Sequence, residues 1–273
     1  MTEMSFSGRS LAAQAVGTQA SKGHLEGTVA LVTGASSGIG AATAAMLAAH
    51  GAAVALAARR GERLEALAAS IREKGGRSLV LQGDISGEEQ ATAAVENTVA
   101  EWGRLDTLVN NAGLMLLGPI VEATLSDWRS MIKINVMGSL YCAHAALPHL
   151  LRAAEKGPRQ VADLVNISSV AGRFPMKGRG AYDLTKSGIG AFSESLRQEV
   201  AKRYLRVSLV EPGAVATELA GHNREEVLGS VRTRLAGVEP MKAEDIADAI
   251  TYIVTRPRHV AINEVLIRPT QQE

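Results

Sequence analysis

The chain has 273 residues, of which 46% are hydrophobic and 21% charged, with a formal net charge of +1. That is enough apolar material for one sizeable core, and too little cationic excess to neutralise a row of phosphates, so no nucleic-acid partner is expected. The single cysteine, Cys142, excludes an intrachain disulfide and a cysteine-built metal cluster, and the longest mildly apolar stretch, 41–58, is interrupted by His50 and Gly51, so neither metal nor membrane is expected and the cytoplasm is the expected compartment.

Residues 1–24 lack a continuous apolar run behind a basic start, and read as a poorly ordered polar tail or the remnant of a linker. The domain is expected to span 25–273. Strand-like runs follow at 29–33, 53–57, 78–82, 107–110, 163–168, 206–211 and 264–267, and helix-length segments at 38–50, 61–74, 87–102, 127–155, 181–203 and 243–254. Continuous rather than alternating apolar strands imply a sheet buried on both faces, and strand–helix–strand order implies parallel crossovers. The fold class is therefore α/β: a single-domain, doubly wound Rossmann fold with a seven-stranded parallel sheet. Gly51 is expected to close the first helix, and Ser86 with Glu89 to form a capping box at the third. The segment 213–241 has no clear period and is long for a connection, which suggests a lid over a substrate.

The stretch TGASSGIG follows the first strand and opens the first helix. Its glycines, Gly34, Gly38 and Gly40, allow the backbone to turn and approach a pyrophosphate, while Ser36, Ser37 and Ile39 bring amides of the helix start to the same place. No Lys-Ser/Thr follows, so it is not a triphosphate loop. Where an NAD site commonly carries an acidic residue, the end of the second strand reads Ala58, Arg59, Arg60. A guanidinium binds a 2′-phosphate through charge-assisted hydrogen bonds, so NADP is the expected cofactor.

Tyr182 and Lys186 are four residues apart on one helix face. An ammonium about 4 Å from a phenolate, at an effective dielectric of about 20, contributes roughly 4 kcal/mol, or about three pKa units. That would bring the tyrosine towards neutrality.

DTLVNNAG from Asp106, KINVMG around Asn135, NISSVAG around Ser169 and AYDLTK around Tyr182, together with TGASSGIG, resemble the short-chain dehydrogenase/reductase family in its single-domain form, from about Leu25 to the C-terminus. The resemblance implies that Tyr182 protonates an alkoxide, Ser169 polarises the same carbonyl oxygen, Lys186 assists Tyr182 and holds the nicotinamide ribose, and Asn135 positions a relay water. Ser169 is preferred to Ser168 because thirteen residues to Tyr182 matches the family spacing. It further implies that Asp84 and Ile85 meet the adenine, that Asn111, Ala112 and Gly113 line the adenosine ribose, and that Pro212, Gly213, Val215 and Thr217 hold the carboxamide.

The pocket is expected between 114–120, 170–180 and 213–241; its Leu and Met content suits an apolar or aromatic small-molecule carbonyl, with Arg173, Lys177 and Arg179 either facing a carboxylate or solvated. The ending INEVLIRPTQQE, with ITYIVTRPRHVAINEV, NNAGLMLLGPI and SESLRQEV, resembles the branch holding clavulanic acid dehydrogenase and the ring-ketone reductases of angucycline pathways, and is also similar to broad 3-hydroxy acid and serine dehydrogenases. The resemblance thus implies an NADPH-dependent ketone or aldehyde reductase of an antibiotic pathway. The alternatives are an NADP-dependent 3-hydroxy acid or secondary alcohol dehydrogenase and a non-catalytic NADP-binding regulatory module. A homodimer or homotetramer is implied as well, and Gly188, Ala191 and Ser195 would either pack against a second copy or inside the monomer.

Overall fold

The computed structural model describes residues 24–272; the tail or linker expected at 1–24 lies almost wholly outside them. Seven strands form one parallel sheet in the order β3-β2-β1-β4-β5-β6-β7. They are β1 (Val29–Thr33), β2 (Ala53–Ala58), β3 (Arg77–Gln82), β4 (Thr107–Asn110), β5 (Ala162–Ile167), β6 (Leu205–Pro212) and β7 (Glu264–Ile267). All seven expected runs are strands. Chain order reverses between β1 and β4, which register Leu31 against Leu108, and a doubly wound sheet opens its ligand crevice at such a point.

Helices are α1 (Gly38–Ala49), α2 (Gly61–Glu73), α3 (Glu88–Trp102), α4 (Leu125–Met131), α5 (Ser139–Lys156), α6 (Gly180–Val200), α7 (Glu225–Arg234) and α8 (Ala243–Thr255). Because side chains alternate along a strand, β1 sends Val29 and Leu31 to one face and Ala30 and Val32 to the other. The first face is covered by α3, α5 and α6 through Val95, Ala146, Leu150 and Leu196; the second by α1, α2 and α8 through Leu47, Leu64, Ile246 and Ile250. Cys142 is fully buried on the first, where burial pushes its thiol up to about 12 and leaves it uncharged.

Three local expectations are corrected. The helix expected over 127–155 is divided: α4 ends at Met131, a π-helical stretch runs over Ile132–Gly138, and α5 follows. Such widened turns are rare and concentrate at functional sites, and this one carries Asn135. No capping box forms at α3, whose N-cap is Gly87; Asp84 Oδ1 instead accepts from the Ser86 amide at 3.0 Å, and Gln90 Oε1 accepts from the Asp84 amide at 2.7 Å. The segment 213–241 holds a 3-10 turn over Glu218–His222, the helix α7, and a bridge from Val215 to Met241. Among the described residues no helix is long and apolar enough to cross a membrane, and no group of three or more His, Cys, Asp or Glu could hold a metal ion.

Candidate functional site

The glycine loop is tied to the end of β4. Asn111 Nδ2 donates to the Thr33 carbonyl at 2.9 Å and the Gly34 carbonyl at 3.4 Å, while Thr33 Oγ1 accepts from the amides of Asn111 and Ala112 at 3.0 and 3.1 Å. The Asn111 side chain thus braces the loop across the switch point, a role its sequence context did not reveal. Gly34 has φ +67°, and a Cβ on Gly40 would overlap both Asn111 Nδ2 and the Gly34 carbonyl oxygen. Only glycine permits so close an approach of backbone to backbone. Helix α1 begins at Ser37 with no side-chain cap and no acidic residue in its first turn, so its leading N–H groups and positive dipole end are left for an external anion. Ile39 is half-buried against the second core face.

Arg59 and Arg60 follow β2 directly and are exposed. Of the two it is Arg60 that reaches the loop: Nε and Nη2 donate to Ser36 Oγ at 3.1 and 3.0 Å, and Nη2 donates to Ser37 Oγ at 2.7 Å. Its Nη1 meets Glu218 Oε2 at 2.7 Å, and Arg63 Nη1 meets Glu218 Oε1 at 2.6 Å. Arg63 and Glu218 were not expected at the site. An open depression of about 720 Å³ lies beside this cluster, against Val80 and Gln82 of β3.

Of the adenine-side pair, Ile85 is buried against Gly138, where a Cβ would stand 3.0 Å from the Ile85 carbonyl oxygen. Gly113 lies beside Asn135 and Lys186: a Cβ on it would be 3.4 Å from Asn135 Oδ1 and 3.8 Å from Lys186 Nζ. Pro212 ends β6, the Gly213 amide donates to the Ile267 carbonyl at 2.7 Å, and Thr217 Oγ1 starts the 3-10 turn by accepting from the Leu219 amide at 3.4 Å. A Cβ on Gly38 would sit 3.1 Å from the Thr217 methyl, which puts the start of the 213–241 segment over the glycine loop.

The four residues at the heart of the expected site converge. Asn135, 2% exposed, accepts at Oδ1 from the Leu114 amide at 2.7 Å and donates at Nδ2 to the Leu114 carbonyl at 2.9 Å and to Thr185 Oγ1 at 3.1 Å. Thr185 Oγ1 in turn donates to the Tyr182 carbonyl at 2.7 Å, so one hydroxyl joins the π-helical stretch to α6. Ser168 is buried with its hydroxyl donating to the Lys186 carbonyl at 3.0 Å, whereas the Ser169 hydroxyl lies beside Tyr182, donates to the Pro212 carbonyl at 3.4 Å and accepts from Ala171 N–H at 3.1 Å.

The electrostatics differ from expectation. Lys186 Nζ donates to the Ile167 carbonyl at 2.8 Å and stands 5.8 Å from the Tyr182 ring centroid. Burial pushes the phenol up to about 12; the hydrogen bond from Ser169 and the charge of Arg179 pull it back in part, and Asp183 pushes it further up. Burial also brings Lys186 down to about 8. The expected descent of Tyr182 towards neutrality is therefore not found, because desolvation of a fully enclosed phenol outweighs an ammonium held off on a backbone carbonyl. The raised value leaves the Tyr182 phenol neutral across the physiological range.

A cleft of about 410 Å³ lies next to Tyr182, at Gly180 and Ala181, with a mixed wall: Leu116, Leu117, Ile120 and Trp128 are apolar, while Glu122, Asp127, Arg179, His222 and Arg224 are charged or polar. Arg173 does not face it as a free cation: its Nε donates to buried Glu211 at 2.9 Å and its Nη2 pairs with Glu264. Arg179 stands 3.2 Å from Asp183, which also accepts from the Met176 amide at 2.8 Å. Lys177 is exposed. Asn223 closes the other side, accepting from the Leu117 amide at 2.6 Å and donating to the Met115 carbonyl at 2.9 Å. On α6, Leu184, Gly188, Ala191 and Ser195 all face outward, so this stripe does not pack inside the monomer.

A doubly wound sheet with an uncapped glycine loop at its switch point, and a buried tyrosine, serine, lysine and asparagine beside it, defines a nucleotide-dependent oxidoreductase. The model of the short chain dehydrogenase family matches residues 28–228, and the chain belongs to that family. It is 35% identical over 249 residues to an uncharacterized oxidoreductase of Staphylococcus saprophyticus, covering 90% of this chain and 99% of that one. It is 37% identical over 251 residues, 92% of its length, to the glycine betaine reductase of Emericella nidulans, of whose length it spans only 19%. Among solved structures, the closed form of a serine dehydrogenase complexed with NADP+ superposes with a TM-score of 0.81 at 31% identity, over 90% of this chain and 96% of that one.

Proposed function

We propose that this oxidoreductase reduces a ketone or aldehyde with NADPH, and the observation that carries the reading is the buried Tyr182, beside Ser169 and Lys186 and packed among Leu114, Leu116 and Trp128 next to the cleft. The loop residues fit the cofactor: backbone crowding that only glycine allows, uncapped helix amides, and guanidinia where a 2′-phosphate would lie. Gly34, Ser36, Ser37, Gly38, Ile39 and Gly40 would hold the pyrophosphate, Arg59 and Arg60 the 2′-phosphate, Asp84 and Ile85 the adenine, and Asn111, Ala112 and Gly113 the adenosine ribose. Pro212, Gly213, Val215 and Thr217 would hold the carboxamide. When bound, NADPH supplies the hydride.

The protein's own residues handle the proton. Ser169 donates to the carbonyl oxygen and polarises it, and Tyr182 then gives its proton to the same oxygen. The Lys186 ammonium stabilises the tyrosinate that results. Asn135, fixed by both polar groups of Leu114, aligns the proton path behind Lys186.

The Leu, Met and Trp side chains packed around Tyr182 favour an apolar or aromatic substrate, and we propose an aromatic polyketide ketone of angucycline type, supported by the resemblance read from the sequence. A second reading, oxidation of a 3-hydroxy acid, is favoured by the similarity to serine dehydrogenase and by Arg179 and Arg224 in the cleft wall. Nicotinamide absorbance with quinones, polycyclic ketones and aldehydes, against serine and 3-hydroxybutyrate in the reverse direction, separates the two. Turnover of none of them, with stoichiometric NADPH binding, would leave the non-catalytic module. The outward small-residue face of α6 supports a homo-oligomer, which light scattering would test.

Arg60→Ala is expected to weaken NADPH binding about tenfold or more, the size of lost charge-assisted hydrogen bonds, and to leave NADH within about twofold. Arg59→Ala should move the same way by less. Fluorescence titration with both cofactors measures this, and equal losses would refute the 2′-phosphate site.

A further inference from the structure

Glu218 is the first residue of the 3-10 turn and half-exposed, yet each of its carboxylate oxygens engages a different arginine, Arg60 at 2.7 Å and Arg63 at 2.6 Å. Arg60 simultaneously spans Ser36 and Ser37, so the carboxylate is fastened to the glycine loop through it. The two guanidinia, Arg63 foremost, hold the Glu218 carboxyl down to about 2, so it is an anion at any working pH. Five residues further on, Asn223 is bonded to Leu117 and Met115 of the cleft wall. One short segment therefore touches the arginines at one end and the substrate wall at the other.

We propose that Glu218 is a specificity-determining residue for the cofactor, an internal anion that occupies Arg60 and Arg63 and must be displaced by a ribose 2′-phosphate, which thereby unfastens the start of the 213–241 segment. The inference rests on the NADPH reading above. A phosphate monoester carries nearly two charges and three acceptor oxygens against one charge and two oxygens for a carboxylate, so it wins the arginines. A ribose with a free 2′-hydroxyl has nothing to displace Glu218 with and leaves the strap closed. The arginines and Glu218 are all about half-exposed, so exchange between carboxylate and phosphate needs no core rearrangement. Glu218 sets a threshold that only the phosphorylated cofactor crosses, and it couples that crossing to the segment over the cleft.

The probes are 2′-AMP and 5′-AMP, which carry no nicotinamide and do not depend on turnover. Glu218→Gln is expected to bind 2′-AMP about fivefold more tightly than the unaltered protein, with 5′-AMP within about twofold. In the unaltered protein, 2′-AMP but not 5′-AMP should speed amide hydrogen exchange over 217–223. Unchanged or weaker 2′-AMP binding by Glu218→Gln, or exchange that slows over 217–223, overturns the inference. Arg60→Ala separates the two failures: if it keeps the preference for 2′-AMP the arginine site itself is wrong, and if it loses that preference while Glu218→Gln changes nothing, only the strap is wrong.

Discussion

Tyr182→Phe is expected to lower the rate of carbonyl reduction by about a thousandfold or more while NADPH affinity stays within about twofold. The phenyl ring fills the same buried space, so packing survives and only the transferable proton is lost. Ser169→Ala in the same assay should cost less, about a hundredfold, because it removes polarisation and leaves the donor in place. The unaltered protein should show a flat reduction rate through neutral pH, since Tyr182 keeps its proton up to about 12, and a fall on the alkaline side from about 8 as Lys186 loses the charge that stabilises the tyrosinate. Steady-state rates over a pH series with the Tyr182→Phe control measure both. A variant retaining a tenth of the activity would remove Tyr182 from the chemistry.

The largest effect on stability is expected far from the cleft. Asp163 on β5 and Arg206 on β6 are register partners in the sheet, 0% and 5% exposed, and the guanidinium spans both carboxylate oxygens at 2.7 and 3.0 Å. Its remaining N–H groups donate to the carbonyls of Val254, Arg256, Pro257 and Val260, so it also holds the chain that leaves α8 against the sheet. Arg206→Met would leave that carboxylate buried with only Arg159, at 3.2 Å, and take one donor from each of the four carbonyls. Removing one member of such a pair costs about 3–5 kcal/mol. For a chain of this size that lowers Tm by about 10 °C. Asp163→Leu combined with Arg206→Met should recover part of the loss, because no charge is then left buried alone. Thermal unfolding followed by circular dichroism checks both, and a single-variant shift under about 3 °C would deny the pair its structural weight.

This pair also shows where reading the sequence stopped. The strands themselves were legible, because VALVT and AVALA are nearly continuous apolar runs of the kind a sheet buried on both faces uses. That Asp163 and Arg206 would face each other depends on the order of strands in the sheet, which no local pattern carries. The same holds at the site. Asn135, Ser169, Tyr182 and Lys186 lie in motifs with fixed spacing and could be named, and they do converge; Thr185 lies in the AYDLTK motif but its bond to Asn135 spans a long sequence separation, and Arg63, Glu218 and Asn223 make their contacts at long range without a quoted motif. Helix α7 was hidden because EEVLGSVRTR places a glycine and a β-branched residue in a short helix with a weak apolar face. The phenol's upward shift was missed for another reason: the charge of Lys186 is visible in the sequence, and the burial that outweighs it is not.

The widened turn over Ile132–Gly138 separates two rotational settings within what would otherwise be one rod. In a regular helix each residue advances the azimuth by about 100°, so the choice of which side chain meets the cleft would also fix, a few turns later, which one meets the sheet. Here the face that α4 gives with Trp128 and Met131 and the face that α5 gives with Cys142 and Ala146 belong to different clusters and are offset in phase by the wider turn between them. The substrate wall can therefore be retuned by substitutions in α4 without turning α5 out of its seat in the core, which makes this half of the cleft the tractable place to change what the protein accepts.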